Sequence, residues 1–298
     1  MLETVIAGVR FKNPVIAASG TFGYGREYAD LIDVSALGGV CSKGLTLHPR
    51  GGNSGTRLYE TPSGLLNSIG LENPGIPAFI EKELPLMKQL GTVIIANLSG
   101  ADIDEYAEGA KLLDAADVDM VELNISCPNV KDGGIAFGLE PDMAASVCRA
   151  VRNVLHKPLM VKLSPNAPDI TAVARSCVNA GADILSLVNT FKAMAIDVEA
   201  RQPVFDNVSA GLSGPAIRPI ALRMVWELAE MASVPIVGMG GIACTEDALQ
   251  FLMAGADAIQ VGTATFVQPS TMTDIIDGIA SYMKKHNVKN IGKLKIRR

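Results

Sequence analysis

Short apolar runs rich in valine, isoleucine and leucine recur along the chain, and they alternate with segments whose apolar residues follow a helical period. Runs that are apolar at nearly every position are typical of parallel strands buried on both faces. They predict eight strands, at residues 14–18, 39–42, 93–97, 119–124, 159–163, 184–188, 235–239 and 258–261.

The segments between these runs predict helices. Acidic residues stand in the first turns, at Asp142, Asp169 and Glu246, where the helix dipole favours negative charge. Gly181 and Gly255 follow two of the predicted helix ends. The predicted helices are residues 75–90, 102–115, 141–155, 169–180, 217–232, 245–254 and 272–286.

Eight strands that alternate with helices predict an α/β fold, a closed (β/α)8 TIM barrel formed by one domain over residues 1–298. The alternative is an open doubly wound sheet, but no G-x-G-x-x-G follows the first strand. Residues 4–12 predict a hairpin that closes the barrel bottom. The long segments 43–74 and 190–216 follow the second and sixth strands, so we expect them at the C-terminal face, where barrel enzymes build their sites.

Composition and charge narrow the class of protein. Of the 298 residues, 48% are hydrophobic and 19% charged, which supplies a large core and excludes intrinsic disorder. The chain has no run of about 18 uncharged apolar residues, so we expect no membrane association. We also expect no secretory leader, because the first residues lack a basic segment followed by a long apolar one. The five scattered cysteines form no C-x-x-C, which favours a cytoplasmic protein without a metal site. The basic segment 284–298 lacks interleaved aromatic residues, so we expect no nucleic-acid partner.

Polar residues mark the carboxyl ends of the predicted strands. Asparagines stand at positions 97, 124 and 189, and lysines at positions 43 and 162. Because the strand ends of a barrel meet at one mouth, these groups predict a shared ligand site. Gly240, Gly241 and Gly262 follow the seventh and eighth strands, where barrels bind phosphate groups through close backbone approach.

Cys127 is the candidate for chemistry, because it follows the fourth strand in a glycine-containing loop. The other cysteines fall within strand or helix patterns, except Cys244, which begins a helix. No histidine stands at a strand end and no carboxylate pair does, which argues against a Cys–His nucleophile and against a glycosidase. The chemistry that remains is acid–base catalysis by a cysteine, with lysines that stabilise anions.

Two other hypotheses explain part of this pattern. A lyase acting on a phosphorylated substrate through a Schiff base on Lys162 or Lys43 would account for the glycines, but not for the asparagines or the Cys127 loop. A barrel that serves only as a scaffold would not need polar groups at its strand ends.

Several longer motifs together resemble class 1 dihydroorotate dehydrogenases, and the resemblance covers nearly the whole chain. The segment Val130–Gly138 looks most like the NAD-linked subclass, 1B. The motifs that carry the resemblance are Ala18–Gly23 (ASGTFG), Ser42–Gly44 (SKG), Asn67–Gly75 (NSIGLENPG), Asn124–Asn129 (NISCPN), Asn189–Thr190 (NT), Gly211–Ala216 (GLSGPA) and Gly238–Ile242 (GMGGI).

The resemblance implies a flavoenzyme of de novo pyrimidine biosynthesis that binds one FMN per chain and oxidises (S)-dihydroorotate to orotate. In subclass 1B the electrons pass to NAD+ through a partner subunit that carries FAD and a 2Fe-2S cluster, and a homodimer of catalytic subunits stands within a heterotetramer. The alternatives are a class 1A enzyme that reduces fumarate, or a flavin dehydrogenase that acts on dihydropyrimidines.

The resemblance also assigns roles to residues. Cys127 would be the base that takes a proton from C5 of dihydroorotate, while a hydride leaves C6 for FMN, and Lys162 would favour the anionic reduced flavin. The residues implied in substrate binding are Lys43, Asn67, Ser68, Ile69, Gly70, Leu71, Asn124, Asn189 and Thr190. Those implied in FMN binding are Ser19, Lys43, Gly44, Asn97, Asn124, Lys162, Val188, Gly214, Gly240, Gly241, Gly262 and Thr263.

Overall fold

Eight short parallel strands close into a barrel in the computed structural model, which describes residues 1–125 and 137–296. The barrel strands follow one another in chain order, and the last pairs with the first. The described residues form sixteen strands: β1 Thr4–Ile6, β2 Val9–Phe11, β3 Val15–Ala17, β4 Gly39–Cys41, β5 Leu58–Thr61, β6 Gly64–Asn67, β7 Val93–Leu98, β8 Met120–Asn124, β9 Leu159–Lys162, β10 Ile184–Leu187, β11 Phe191–Ala193, β12 Ile196–Asp197, β13 Gln202–Pro203, β14 Ala210–Ser213, β15 Ile236–Met239 and β16 Ala258–Val261.

The barrel consists of β3, β4, β7, β8, β9, β10, β15 and β16. These are the eight strands predicted from the apolar runs, and each observed end lies within one residue of the predicted end. Closure excludes the open doubly wound sheet and confirms the predicted (β/α)8 fold.

Helices cover the outside of the barrel at the predicted places. The prediction for residues 75–90 is correct in position, but a π-helical turn at Phe79–Glu83 divides that segment. Asp102 and Asp169 cap two helices, since each side chain accepts a hydrogen bond from a backbone N–H of the first turn. The described helices are α1 Ile76–Ala78, α2 Leu84–Lys88, α3 Ile103–Ala115, α4 Pro141–Arg152, α5 Ile170–Asn179, α6 Arg218–Ala229, α7 Thr245–Ala254, α8 Ala264–Val267 and α9 Thr271–Lys285.

Two helix predictions were too long, and one short helix was missed. Leu155 is 1% exposed and continues the apolar pattern of α4 beyond its end, so the pattern overstates the helix by three residues. The four-residue α8 is too short to show a helical period. In residues 1–125 and 137–296, we find no helix with the length and apolar character that a membrane span requires.

The N-terminal hairpin closes one end of the barrel, as predicted. Strands β1 and β2 pair antiparallel, and their residues Ile6 and Phe11 are fully buried. Both pack on a layer of inward-facing apolar residues near the amino ends of the barrel strands, which makes this end a closed apolar core. The layer consists of Ile16, Cys41, Ile95, Met120, Met160, Ile184, Val237 and Ala258.

The two long segments 43–74 and 190–216 are more ordered than their prediction as functional loops suggests. They contribute β5 and β6, and β11 and β14, to one four-stranded antiparallel sheet, in which Gly211 of β14 pairs with Asn67 of β6. A second pair, β12 with β13, extends from the later segment. Strands of two to four residues give too short an alternation to be recognised in sequence.

Candidate active site

A cavity of about 790 Å3 lies at the carboxyl ends of the barrel strands. Its volume falls in the range typical of small-molecule and cofactor sites, about 300–1,000 Å3. The four-stranded sheet lines it as well, through Leu65, Gly211 and Ser213. The predicted site residues that line it are Ser19, Lys43, Gly44, Asn67, Ile69, Gly70, Leu71, Asn97, Asn124, Lys162, Val188, Asn189, Thr190, Gly214, Gly240, Gly241, Gly262 and Thr263.

One described residue of the predicted site, Ser68, is not in that lining. Ser68 is 2% exposed, and its hydroxyl accepts hydrogen bonds from Asn53 Nδ2 at 3.0 Å and Asn207 Nδ2 at 3.3 Å. It therefore joins the two long segments beside the cavity. Cys127, the candidate base, lies outside the described residues, as does the rest of the segment 126–136.

Three asparagine side chains form a connected row across the cavity floor. Asn124 Nδ2 donates to Asn97 Oδ1 at 3.4 Å, and Asn189 Nδ2 donates to Asn124 Oδ1 at 3.3 Å. Asn97 lies in β7, Asn124 ends β8, and Asn189 stands two residues beyond β10. In the barrel β7 neighbours β8, and β9 stands between β8 and β10. Each amide carries both donors and an acceptor, so the row presents both kinds of group to a flat heterocycle.

The first lysine of the cavity, Lys43, is half-buried and shares an anionic partner. Its Nζ lies 3.7 Å from Glu72 Oε2, and Arg57 Nη2 lies 3.1 Å from the same oxygen. Glu72 belongs to the same long segment and lines the cavity. A cation in this position can bind an anionic substrate group.

The second lysine, Lys162, is 5% exposed and lies deeper, at the end of β9. Its Nζ donates to Ser19 Oγ at 3.2 Å and lies 3.8 Å from Glu122 Oε2. Glu122 is not among the predicted site residues, although the alternation of inward-facing residues along its strand could have indicated it. Met120, Glu122 and Asn124 alternate along β8, so all three face inward when Met120 does.

Glycines form the wall at the ends of the seventh and eighth barrel strands. Gly240 and Gly241 have φ values of +122° and +76°, which other residues rarely adopt. A Cβ at Gly241 would lie 2.7 Å from the carbonyl oxygen of Gly214, so a side chain here would collide with backbone. This wall lets backbone N–H groups approach an anion, as a phosphate site requires.

Comparison with known proteins decides between the remaining hypotheses. The sequence model described as dihydroorotate dehydrogenase matches residues 1–283. The chain belongs to the dihydroorotate dehydrogenase family. Relatives named as the catalytic subunit of dihydroorotate dehydrogenase B (NAD(+)) cover nearly the same length. That of Petrotoga mobilis is 56% identical over 290 residues, with 97% of each chain covered. That of Thermoanaerobacter pseudethanolicus is 50% identical, with 98% of this chain and 97% of the relative covered.

Membership of the dihydroorotate dehydrogenase family confirms the resemblance seen in the motifs, and it makes the chain an oxidoreductase. The Schiff-base lyase and the scaffold hypotheses are therefore both wrong. A third relative, from Geobacter sp. (strain M21), has the same name and is 50% identical over 294 residues.

None of the described cysteines of this dehydrogenase chain lines the cavity. Cys41, Cys148 and Cys177 are buried free thiols, and burial raises the pKa of each, that of Cys148 to about 12. Cys244 is exposed and does not line the cavity. Within residues 1–125 and 137–296, we find no three His, Cys, Asp or Glu side chains that could hold a metal ion.

Proposed function

We propose that this chain is the FMN-binding catalytic subunit of an NAD+-linked dihydroorotate dehydrogenase, which oxidises (S)-dihydroorotate to orotate in de novo pyrimidine biosynthesis. The observation that carries the proposal is one cavity in a member of this family that combines an asparagine row, two lysines and a glycine wall. Residues 1–298 would form a single domain around it. The free described thiols favour a cytoplasmic location.

The residues of the cavity suit FMN. The glycine wall at Gly240 and Gly241 leaves no room for side chains and suits the phosphate. Gln260 lines the cavity, and its buried Oε1 has no hydrogen-bond partner among the described residues. A bound ligand with an N–H or O–H group could donate a hydrogen bond to this oxygen. The residues that would hold FMN are Ser19, Lys43, Gly44, Asn97, Asn124, Lys162, Val188, Gly214, Gly240, Gly241, Gly262 and Thr263.

The substrate is a six-membered ring with alternating carbonyl and N–H groups and one carboxylate. The amides of Asn67, Asn124 and Asn189 can pair with the ring, because each offers a donor and an acceptor. Lys43 would offset the charge of the carboxylate. Ile69, Gly70, Leu71 and Thr190 line the same cavity, and Ser68 would support their segment from behind.

The reaction removes a proton from C5 and a hydride from C6, and a double bond forms between these carbons. FMN, when bound, supplies the hydride acceptor. Cys127, three residues after Asn124 in the chain, would take the proton as a thiolate. This role follows from the family motif.

Onward electron transfer calls for a second subunit. The relatives are named as catalytic subunits of an NAD(+) enzyme, which supports a separate partner. We propose that the partner carries FAD and a 2Fe-2S cluster, and that two catalytic chains form a homodimer within a heterotetramer. The names of these relatives favour NAD+ over fumarate as the final acceptor.

The experiment that tests this function is bleaching of the bound flavin by dihydroorotate in stopped flow. We expect Cys127→Ser to slow bleaching by about 10²–10⁴-fold at neutral pH, because an alcohol is a far weaker acid than a thiol. Cys244→Ser is the matched control, since that thiol is exposed and outside the cavity lining, and we expect no change. Unaltered bleaching in Cys127→Ser would remove Cys127 from the mechanism. A chain that binds no FMN would overturn the proposed function.

A further inference from the structure

A fully buried carboxylate lies inside the barrel, beneath the cavity. Glu122 is 0% exposed and belongs to β8, two residues after Met120 in the apolar bottom layer and two before Asn124 in the cavity lining. It does not itself line the cavity. None of the steps proposed above uses this side chain, yet a buried carboxylate is costly unless it is paired and hydrogen-bonded.

Four donors from four other strands surround the Glu122 carboxylate. Oε1 accepts hydrogen bonds from Ser186 Oγ at 2.9 Å and from Gln260 Nε2 at 2.7 Å. Oε2 accepts from Asn97 Nδ2 at 2.6 Å and from Cys41 Sγ at 3.4 Å. An ionised carboxylate offers about four lone-pair sites and no proton, so this donor set matches the charged form. The side chains inside the barrel are therefore arranged around the negative charge of Glu122, between the apolar bottom layer and the cavity.

The cation nearest to this charge belongs to the cavity. Lys162 Nζ lies 3.8 Å from Glu122 Oε2 and also donates to Ser19 Oγ, and both Lys162 and Ser19 line the cavity. Lys162 thus touches the cavity on one side and the buried carboxylate on the other. The whole Lys162 side chain is 94% buried, so its ammonium group has little freedom to move away from Glu122.

We propose that Glu122 is a positioning residue: it holds the Lys162 ammonium at the cavity floor and cancels part of its charge, which lowers the reduction potential of bound FMN. The inference rests on the proposed function, in which Lys162 contacts the flavin. A cation beside a flavin favours the form that carries the added electrons, and a carboxylate next to that cation opposes it, since both charges act at low local dielectric.

The proposed effect suits an enzyme that must pass its electrons onward. A carrier held at too high a potential keeps its electrons, because transfer to an acceptor of lower potential is uphill. Lys162 alone would raise the potential of the flavin. When Lys162 is paired with Glu122, the lysine still donates hydrogen bonds, but the net charge of the pair is zero. The pair therefore raises the potential of the flavin less than Lys162 alone would.

The test is the two-electron reduction potential of the FMN-loaded chain, measured by equilibration with a reference dye. We expect Glu122→Gln, which keeps the shape and removes the charge, to increase the ratio of reduced to oxidised FMN at least tenfold at a fixed potential. For a two-electron couple this corresponds to a rise of about 30 mV. Ser186→Ala is the matched control, because it removes a donor from the same carboxylate and leaves the charge in place, and we expect less than a twofold change.

A purely structural Glu122 would give a different result. Glu122→Gln would then lower the unfolding temperature and leave the potential unchanged, and that outcome overturns the inference while the proposed function stands. A wild-type chain without FMN overturns the proposed function itself.

Glu122→Asp covers the case in which Glu122→Gln does not fold. It keeps the charge but shortens the side chain by one methylene, which withdraws the carboxylate from Lys162. We expect a smaller rise in the ratio of reduced to oxidised FMN, about threefold. A ratio equal to that of the wild type would count against the inference.

Discussion

The two lysines of the cavity differ in how their positive charges are balanced. Lys162 is buried against a carboxylate that four further donors hold in place, so its position is fixed. Lys43 is more exposed, and its partner Glu72 is 42% exposed and shared with Arg57. An ion pair of this kind is weak and is exchanged easily for another anion. At the scale of single residues, Lys162 is therefore suited to a resident cofactor and Lys43 to an incoming substrate.

Glu72 and the substrate carboxylate should compete for Lys43. We expect Glu72→Gln to strengthen the binding of orotate about twofold to fivefold, because an exposed ion pair contributes only about 0.2–1 kcal/mol. The measurement is a titration of the FMN-loaded chain with orotate, followed by flavin absorbance. Glu60→Gln is the matched control, since Glu60 also lines the cavity. Weaker binding in Glu72→Gln would instead mean that Glu72 holds Lys43 in its working position.

At the scale of elements, contacts outside the barrel fix the registry of helices and loops. Asp114, near the end of α3, accepts hydrogen bonds from the backbone N–H of His156 at 2.7 Å and of Lys157 at 3.2 Å, and it contacts His156 Nδ1 at 2.8 Å. It thereby fastens α3 to the connection between α4 and β9. Burial by itself would raise the pKa of Asp114, but these hydrogen bonds outweigh it and lower the pKa below its usual value.

The lowered pKa of Asp114 gives a stability prediction with a definite sign. Because the folded-state pKa lies below the unfolded value of about 3.9, the stabilisation is complete above about pH 5 and is lost as the pH falls through the folded-state pKa. We expect Asp114→Asn to lower the free energy of unfolding by about 1 kcal/mol at pH 7, and the difference to shrink below about pH 4.

Thermal unfolding between pH 3 and pH 7 measures this difference. Asp117→Asn serves as the control, because Asp117 is 81% exposed and pairs only at the surface with Lys88. A gap between Asp114→Asn and the wild type that stays constant over the whole pH range would contradict the assignment.

At the scale of the whole molecule, the cavity faces the two long insertions of the barrel, residues 43–74 and 190–216. The four-stranded sheet built from these insertions covers the carboxyl ends of the strands, while the β1–β2 hairpin closes the opposite end. The cavity and the four-stranded sheet therefore stand at one end of the barrel, opposite the hairpin. In the proposed enzyme the substrate would enter and leave at this end.

In the proposed enzyme, this chain oxidises dihydroorotate and the partner subunit reduces NAD+, which predicts how the isolated chain behaves. We expect the FMN-loaded chain alone to be bleached by dihydroorotate without reducing NAD+. Addition of a partner subunit purified from the same source should restore NAD+ reduction. The assay follows NADH absorbance, and the purified complex should show iron–sulfur absorbance in a stoichiometric subunit. Rapid turnover of the lone chain with fumarate would instead place it in class 1A.

The sequence by itself determined the barrel, because each strand and helix reports its own burial through a local period. Eight apolar runs located all eight barrel strands to within one residue, and polar residues directly after them located the cavity lining. The motifs around Asn67 and Asn124 carry the family resemblance in the sequence itself.

Only the tertiary structure showed what lies beneath and above the cavity. Glu122 meets Ser186 and Gln260 across 64 and 138 residues of sequence, and no local pattern reports contacts of that range. The sheet above the cavity likewise depends on pairing between β6 and β14, 144 residues apart at Asn67 and Gly211. Local periods record which side of an element is buried, whereas closure of the barrel decides which buried side chains meet.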